Sequence, residues 1–439
     1  MNSRFQKIIL LLGDLASLSL ALILVISIRY AKVDFSQELQ NHFWPFLIIF
    51  TLWLTIIYTN DLYNLNLRVK SRRFLKAVSN TVVIASLLSI IYFYINVVSS
   101  VAPRTNLVLF IVFFLIIFFI WRYLYQVIRH AVPKIGLAIM GNNEKSYALK
   151  KELENNPGSG YRQELWIKDE SELEKLKIQV GLGKINVVVV CDNFGSAKVA
   201  DSLLNLLQNR ISVYSYPDFY ELLSGRIPVE EIGTNWFLEN LRENKRTYFN
   251  FVKRIIDIIG AITVLTIFIP FWPLMALVIK LESRGSVFFR QTRLGRQGKK
   301  FTIIKFRTMR EDNNDRGLTV DGDKRITAFG NFLRKTRLDE IPQMINVLKG
   351  EMSFIGPRPE RPELAQELEK VIPFYNTRLI VKPGLSGWDQ ISGEYHSPTK
   401  EDTLKKLQND LFYIKNRSLF LDVAITMKTV ATILSKEGK

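Results

Sequence analysis

The chain has 439 residues, enough for two or three domains. Its 59 Lys and Arg against 41 acids give a net charge of +18, which calls for an anionic partner such as phosphorylated substrates or an acidic membrane surface. Nucleic acid is set aside because the apolar residues gather into long runs near the N-terminus. The single cysteine, Cys191, excludes an internal disulfide and a cysteine-rich metal site, and His42, His130 and His396 lack metal-ligand spacing.

Four apolar segments occupy roughly residues 8–28, 43–59, 81–98 and 107–125. Each approaches the roughly 20 residues that a helix needs to cross the hydrocarbon core. The first is read as a span rather than a cleaved signal, since three similar segments follow it. Asp14 lies within it and is expected to be paired or interfacial. Cations cluster before the first segment (Arg4, Lys7), between the second and third (Arg68, Lys70, Arg72, Arg73, Lys76) and after the fourth (Arg122, Arg129, Lys134). The positive-inside rule then puts the N-terminus and everything after residue 130 in the cytoplasm. The first domain is expected to be a four-helix transmembrane unit over 1–130.

A second domain is expected over 131–245. Residues 135–140, 186–191 and 211–214 read as strands, and residues 145–153 and 197–207 as helices. Strand–helix alternation predicts a Rossmann-like parallel sheet of doubly wound type. The turn after the first strand reads Gly141-Asn142-Asn143-Glu144, without the further glycines that admit a pyrophosphate. Gly181-Leu182-Gly183-Lys184 lacks the spacing and the Ser/Thr of a phosphate loop. The domain is read as degenerate, a scaffolding or regulatory module.

A fifth apolar stretch runs over about 251–281 and opens the third domain, 246–439. Pro270 and Pro273 interrupt it, Lys253 and Arg254 stand at its start, and Lys280 and Arg284 at its end. Prolines break helices, and basic residues at both ends suit one membrane face. A re-entrant helix–break–helix is expected, with an ordinary fifth span as the alternative that length permits. Asp257 shares a helix face with Lys253 and Arg254, so the three are expected to pair at the interface.

The rest of the third domain is polar, mostly helical by expectation, and dense in short motifs. Asp339 and Glu340 adjoin in Arg337-Leu338-Asp339-Glu340-Ile341-Pro342-Gln343. Around them in sequence stand Lys305, Arg307, Arg310, Lys324, Arg325, Arg334, Lys335, Arg358 and Arg361. Carboxylates among so many cations are expected to be ionised, and the cations suit a polyanionic, phosphorylated ligand. Asp339 is placed to cap a helix running to about Lys349, with Pro342 in its first turn and Gly350 as its stop. A carboxylate cap and an active site are both open readings; the cations and the rigid Gly356-Pro357-Arg358-Pro359 turn favour a site.

The motifs Phe289-Arg290-Gln291, Arg293-Leu294-Gly295, Lys305-Phe306-Arg307-Thr308-Met309, Arg325-Ile326-Thr327, Asp339-Glu340, Gly356-Pro357-Arg358-Pro359 and Lys382-Pro383-Gly384-Leu385-Ser386-Gly387-Trp388 occur in order. Over residues 251–427 the chain resembles the catalytic domain of the bacterial polyprenyl-phosphate sugar-1-phosphate transferases, the monotopic phosphoglycosyl transferase superfamily. Its N-terminal spans and degenerate middle domain resemble the larger members, which start exopolysaccharide, capsule and O-antigen assembly. The resemblance implies that Asp339 attacks the β-phosphate of a UDP-sugar, forms a covalent phosphosugar–aspartate and releases UMP. Undecaprenyl phosphate would then take the sugar phosphate. It also implies Mg²⁺ held by Asp339 and Glu340. Lys305, Arg307, Arg325, Arg337 and Arg358 are expected as phosphate contacts from their place among the motifs, Arg358 with Arg307 or Arg337 foremost. Pro270 matches the family's helix-breaking proline, with Ile269 where a serine is common, and Asp389 stands where relatives often have alanine. The bacterial inner membrane, catalysis on the cytoplasmic side and contact with membrane lipids are expected with it; the oligomeric state stays open, a homodimer being one arrangement that the extra N-terminal domains suit.

The physics agrees. Cations offset the repulsion between an ionised acceptor and a diphosphate, and Mg²⁺ usually takes one or two carboxylates plus substrate oxygens. Aspartyl phosphates are an established class of intermediate. Two other readings differ in class. A non-enzymatic scaffold for a glycan assembly complex predicts no UMP release. A sugar-nucleotide dehydratase or reductase needs an intact glycine loop and a Tyr-x-x-x-Lys base, absent from the middle domain.

Overall fold

The structure is a computed structural model that describes residues 3–30, 35–65, 67–95, 103–131, 133–192, 197–208, 211–241, 246–310, 323, 325–391 and 399–434. Lys324 and His396 of the sequence reading lie outside these residues. The chain forms two compact units, Met1–Ser224 and Gly225–Lys439.

The first unit opens with four long helices: α1 (Ser3–Arg29), α2 (Phe35–Thr59), α3 (Arg72–Ile95) and α4 (Pro103–Ala131). They extend past the apolar runs because their first turns are polar. Their shared core is aromatic, with Phe46, Trp53, Phe110, Phe114 and Phe118 buried in edge-to-face and offset pairs. Outward-facing positions are apolar as well, including Leu12, Ile28, Val83, Ile116 and Ile120. Helices apolar on all faces suit a lipid surround. Asp14 is buried and paired with Arg122 at 2.6 Å, and Arg122 also donates to the Leu62 carbonyl at 2.7 Å. The Trp121 ring packs against Gly13, where a Cβ would lie 1.9 Å from it. No side chain fits there.

The sheet of this unit holds β1 (Ile135–Met140), β2 (Tyr161–Ile167), β3 (Val187–Val190) and β4 (Ser212–Ser215). Its order is β2-β1-β3-β4 with every pair parallel. The intervening helices are α5 (Glu144–Asn155), α6 (Leu173–Gly181) and α7 (Ala197–Leu207), with α8 (Tyr216–Ser224) last. Alternate residues of β1 serve opposite faces. Ala138 and Met140 pack with Leu176, Val180 and Val199, while Leu137 and Ile139 pack with Leu149 and Phe219. The expected doubly wound sheet forms. Strand β2 was not foreseen, because Arg162, Gln163 and Glu164 dilute its apolar pattern at the sheet edge.

The second unit is mostly helical. It runs α9 (Thr234–Asn240), α10 (Thr247–Phe268), a 3-10 turn at Ile269–Phe271 and α11 (Trp272–Glu282). A hairpin of β5 (Phe288–Leu294) and β6 (Lys300–Phe306) follows, then α12 (Ala328–Thr336), a 3-10 segment at Leu338–Gln343 and α13 (Met344–Lys349). The remainder is β7 (Ser353–Ile355), α14 (Pro362–Val371), β8 (Gly384–Ser386), α15 (Trp388–Ile391), α16 (Lys400–Asn416) and α17 (Leu419–Leu434). Among the described residues, five helical segments are long and apolar enough to cross a membrane, the fifth being Thr247–Glu282 with 36 residues. Pro270 lies in the 3-10 turn between α10 and α11, and Pro273 in the first turn of α11.

Lys253, Arg254 and Asp257 do not pair with one another as the spacing suggested. Lys253 bonds Asp422 at 2.5 Å, and Arg254 donates to the Val347 and Leu348 carbonyls at 2.6 and 2.7 Å. Asp257 accepts from Ser353 Oγ and the Phe354 N–H, both at 3.1 Å. Tertiary partners outcompete the local helix-face pairing, which contributes only about 0.2–0.5 kcal/mol.

Candidate active site

Strand β6 supplies the floor. Its alternation turns Phe301 and Ile303 toward Met344 and Val347 of α13, and Lys305 follows on the same side two residues later. Asn346, fully buried, straps α13 to the strand. It donates to the Thr302 carbonyl at 2.7 Å and accepts from the Ile304 N–H at 3.3 Å. This strap fixes the chain just after the carboxylate pair.

The pair itself is set by a backbone reversal. Helix α12 starts at Thr327, whose hydroxyl accepts the Gly330 N–H at 3.0 Å. It ends at Arg337, which adopts φ 56°. A bulky residue in this left-handed region is uncommon, and here it turns the chain into the 3-10 segment. Asp339 is therefore not the N-cap of a helix to Lys349. It lies inside the 3-10 turn, α13 starts only at Met344, and no side chain caps either start. The stop at Gly350, φ 82°, is as expected.

Asp339 and Glu340 have different surroundings. Glu340 accepts from Lys305 Nζ at 2.6 Å and lies 3.7 Å from Arg358 and 3.9 Å from Arg337. Burial alone would raise it, but Lys305, Arg358 and Arg337 outweigh burial and hold its carboxyl down to about 2. Asp339 is only 8 % exposed, and among the described residues no donor reaches its buried Oδ1. Burial, then the charge of Glu340, push Asp339 up to about 6, against Lys305, Arg337 and Arg334. The cations favour its neighbour: Lys305 bonds Glu340 rather than Asp339. Lys305 is itself depressed by burial, although Glu340 opposes the shift.

Of the five expected phosphate contacts, Lys305, Arg337 and Arg358 converge on Glu340. Arg307 is buried and donates to the Ser283 carbonyl and hydroxyl at 2.7 and 3.0 Å. Arg325 bonds Asp323 at 2.6 Å. Arg334, not singled out as a contact by the motifs, feels the charges of both Asp339 and Asp323 and donates to Thr308 Oγ1 at 2.8 Å. It sits three residues before Arg337, a spacing that put it within reach.

Arg358 is held by a backbone clamp. Parallel strands β7 and β8 bring Gly356 and Gly384 together, with Gly356 N–H donating to Ser386 and Gly384 N–H to Pro357. A Cβ on Gly384 would lie 2.1 Å from the Gly356 nitrogen, so the backbones meet only without one. Beneath the turn, Arg378 donates to the Arg358 carbonyl at 2.9 Å and pairs with Asp410 at 2.7 Å. Glu360 accepts from Lys406 and faces Arg378 and Arg293, which together outweigh burial and hold it down to about 2. Asp389 is buried in this layer, accepting from Asn409 at 3.0 Å. No periodic pattern marks this network, because its members are far apart in the chain.

Among the described residues no three His, Cys, Asp or Glu side chains gather as a metal cage. The free Oδ1 of Asp339 nevertheless fits a hard cation that draws its other ligands from substrate oxygens. Glu340 fits less well, since its Oε1 is taken by Lys305.

Residues 248–436 match the family model described as bacterial sugar transferase. The chain is 42% identical over 230 residues to the UDP-N-acetylgalactosamine-undecaprenyl-phosphate N-acetylgalactosaminephosphotransferase of Aeromonas hydrophila, covering 52% of this chain and 53% of that one. It is 34% identical over 324 residues to a UDP-glucose:undecaprenyl-phosphate glucose-1-phosphate transferase of Xanthomonas campestris pv. campestris, covering 70% and 63%. With the enzyme of that same name from Escherichia coli (strain K12), identity is 33% over 316 residues, covering 69% and 68%. The matched stretches thus span between about half and two thirds of these relatives' lengths.

Proposed function

Because the chain belongs to the bacterial sugar transferases, we propose that it moves a sugar 1-phosphate from a UDP-sugar to undecaprenyl phosphate, with Asp339 as the nucleophile. The observation that carries this is the unpartnered, buried Oδ1 of Asp339 beside a Glu340 saturated by cations. An Asp339 oxygen attacks the β-phosphorus, and the bond from that phosphorus to the bridging oxygen breaks. UMP leaves with the bridging oxygen. An oxygen of undecaprenyl phosphate then attacks the same phosphorus, forming the diphosphate and freeing the Asp339 carboxylate. Arg337 and Arg358 face phosphate oxygens, and Lys305 holds Glu340, which orients the cations rather than attacking. A Mg²⁺ held by Asp339 and substrate oxygens would offset charge between nucleophile and diphosphate.

The helix pair α10–α11 supports a monotopic placement. Both arms lie on the same catalytic core: Ala261 and Leu265 pack with Phe301 and Ile303, while Met275 and Ile279 pack with Phe306 and Leu333. Trp272, next to the break, rests on Phe288 and Phe306. The opposite faces expose Ile255, Ile259, Ile262, Phe271, Leu274 and Leu277. A segment clamped to one polar unit at start, break and end dips into the bilayer from one side, with its apolar face against lipid. With the cationic loops inside, catalysis is on the cytoplasmic face of the inner membrane, where UDP-sugars are made.

The test is UMP release by the full-length protein with undecaprenyl phosphate, Mg²⁺ and a panel of UDP-glucose, UDP-galactose and their N-acetylated forms. At least one sugar is expected to give lipid-dependent turnover that chelation removes. Absence of release with every sugar would overturn the assignment and leave the scaffold reading.

A further inference from the structure

A second cationic cavity lies in the catalytic unit. Its volume is about 140 Å³, well above the roughly 10–15 Å³ that one water needs on that measure. Lys253, Arg254, Arg296, Lys382 and Arg417 line it, with Asp257 as the acid. Asp257 is occupied by Ser353 and Phe354, and Lys253 by Asp422. The wall carries five cations against Asp257.

Two of these charges crowd one another. A Cβ on Gly350 would lie 3.4 Å from Lys382 Nζ and 3.5 Å from Arg254 Nη2. Arg254 spends its Nη1 and Nη2 donors on the carbonyls that end α13. Lys382 makes no hydrogen bond or ion pair among the described residues, yet it is half-buried. Burial, then the charge of Arg254, depress it, with Arg296 adding to the shift and Asp257 opposing it. A half-buried ammonium on a cavity wall that it shares with the guanidiniums of Arg254 and Arg296, with no hydrogen-bonded acid, is stabilised by an incoming anion. The cavity sits at the end of α13, whereas Asp339 precedes its start. From Asp339 to Leu348 the helical path is roughly 16 Å, at about 2 Å per residue through the 3-10 segment and about 1.5 Å per residue in α13.

We propose that this cavity is a second phosphate site, separate from the Asp339 centre, taking a phosphate group on Lys382, Arg254 and Arg296. Tetrahedral phosphate oxygens match converging ammonium and guanidinium donors. A phospholipid headgroup and free phosphate present the same chemistry. The assignment does not depend on Asp339 being the nucleophile.

The experiment uses the full-length protein in phosphatidylcholine nanodiscs. One arm titrates inorganic phosphate by calorimetry. The other replaces part of the lipid with phosphatidylglycerol and counts lipids retained by native mass spectrometry. Lys382→Gln and Arg296→Gln are compared with Lys305→Gln, which alters the Asp339 centre. The expected result is about a tenfold weakening of at least one probe in Lys382→Gln and in Arg296→Gln, with that component kept in Lys305→Gln. Loss confined to inorganic phosphate identifies a free-phosphate site, and loss confined to phosphatidylglycerol a headgroup site. Unchanged affinity of both probes in Lys382→Gln and Arg296→Gln, or a loss found only in Lys305→Gln, overturns the proposal.

Discussion

The turn after β1 and the turn after α12 are both places where an anion would be sought, and they are completed in opposite ways. At the first, Asn143 caps α5 in a reciprocal box with Ser146, and its amide donates to the Cys191 carbonyl at 2.9 Å. The donors that a phosphate would need are spent inside the turn. At the second, no side chain caps the 3-10 segment, an Asp339 oxygen is buried without a partner, and three cations meet at Glu340. A parallel sheet and a helix start do not make a phosphate site; unsatisfied groups held in place by their neighbours do.

Removing the proposed nucleophile should break the contrast most severely. Asp339→Asn is expected to lower sugar-phosphate transfer by about three orders of magnitude or more, as loss of a covalent nucleophile does, read as UMP release. Glu340→Gln should also cut transfer strongly, but through the freed cations, and should leave a measurable residual rate.

The layer under Arg358 comes next. Arg378→Met strips buried Asp410 of its 2.7 Å partner beside the charge of Asp389, while Glu360 keeps Lys406 and Arg293, and breaking such a buried pair costs about 3–5 kcal/mol. Denaturant unfolding of the detergent-solubilised protein should register it as a lowered midpoint.

A pH series sharpens the distinction between the two carboxylates. Asp339 binds its proton more tightly folded than unfolded, so its contribution to stability is full below about pH 4 and is lost as pH rises through about 6. Asp339→Asn should accordingly stabilise the protein at pH 8 by on the order of 2 kcal/mol and have little effect at pH 4. Transfer should fall as pH drops through about 6, as the nucleophile takes up its proton. Glu340 behaves oppositely: its contribution is present above about pH 4.5 and lost only toward pH 2.

The smallest effect is expected at the first turn. Asn143→Ala should cost about 1 kcal/mol of stability as a lost cap, seen in thermal unfolding, and leave UMP release unchanged.

Much of this was legible in the sequence. Long apolar runs and strand–helix alternation marked the long apolar helices and the parallel sheet, and the run of cations around Asp339 and Glu340 marked the candidate site. Local spacing misled wherever distant chain supplied a better partner. Lys253 reaches Asp422 rather than Asp257, and Arg307 reaches Ser283 rather than the carboxylate pair. The left-handed Arg337 gave no signal, because that conformation is usually marked by glycine or asparagine, and it moved Asp339 from a cap to the interior of a 3-10 turn. The split between the two carboxylates was also hidden: it depends on Lys305, which a strand presents from across the unit.

The most direct measurement is trapping the intermediate. The full-length protein is incubated with a UDP-sugar labelled at the β-phosphate, without lipid acceptor, and then digested for mass spectrometry. The account predicts a phosphosugar on Asp339 that undecaprenyl phosphate discharges and that Asp339→Asn never forms. Turnover without any labelled protein, or a label that persists in Asp339→Asn, would contradict it.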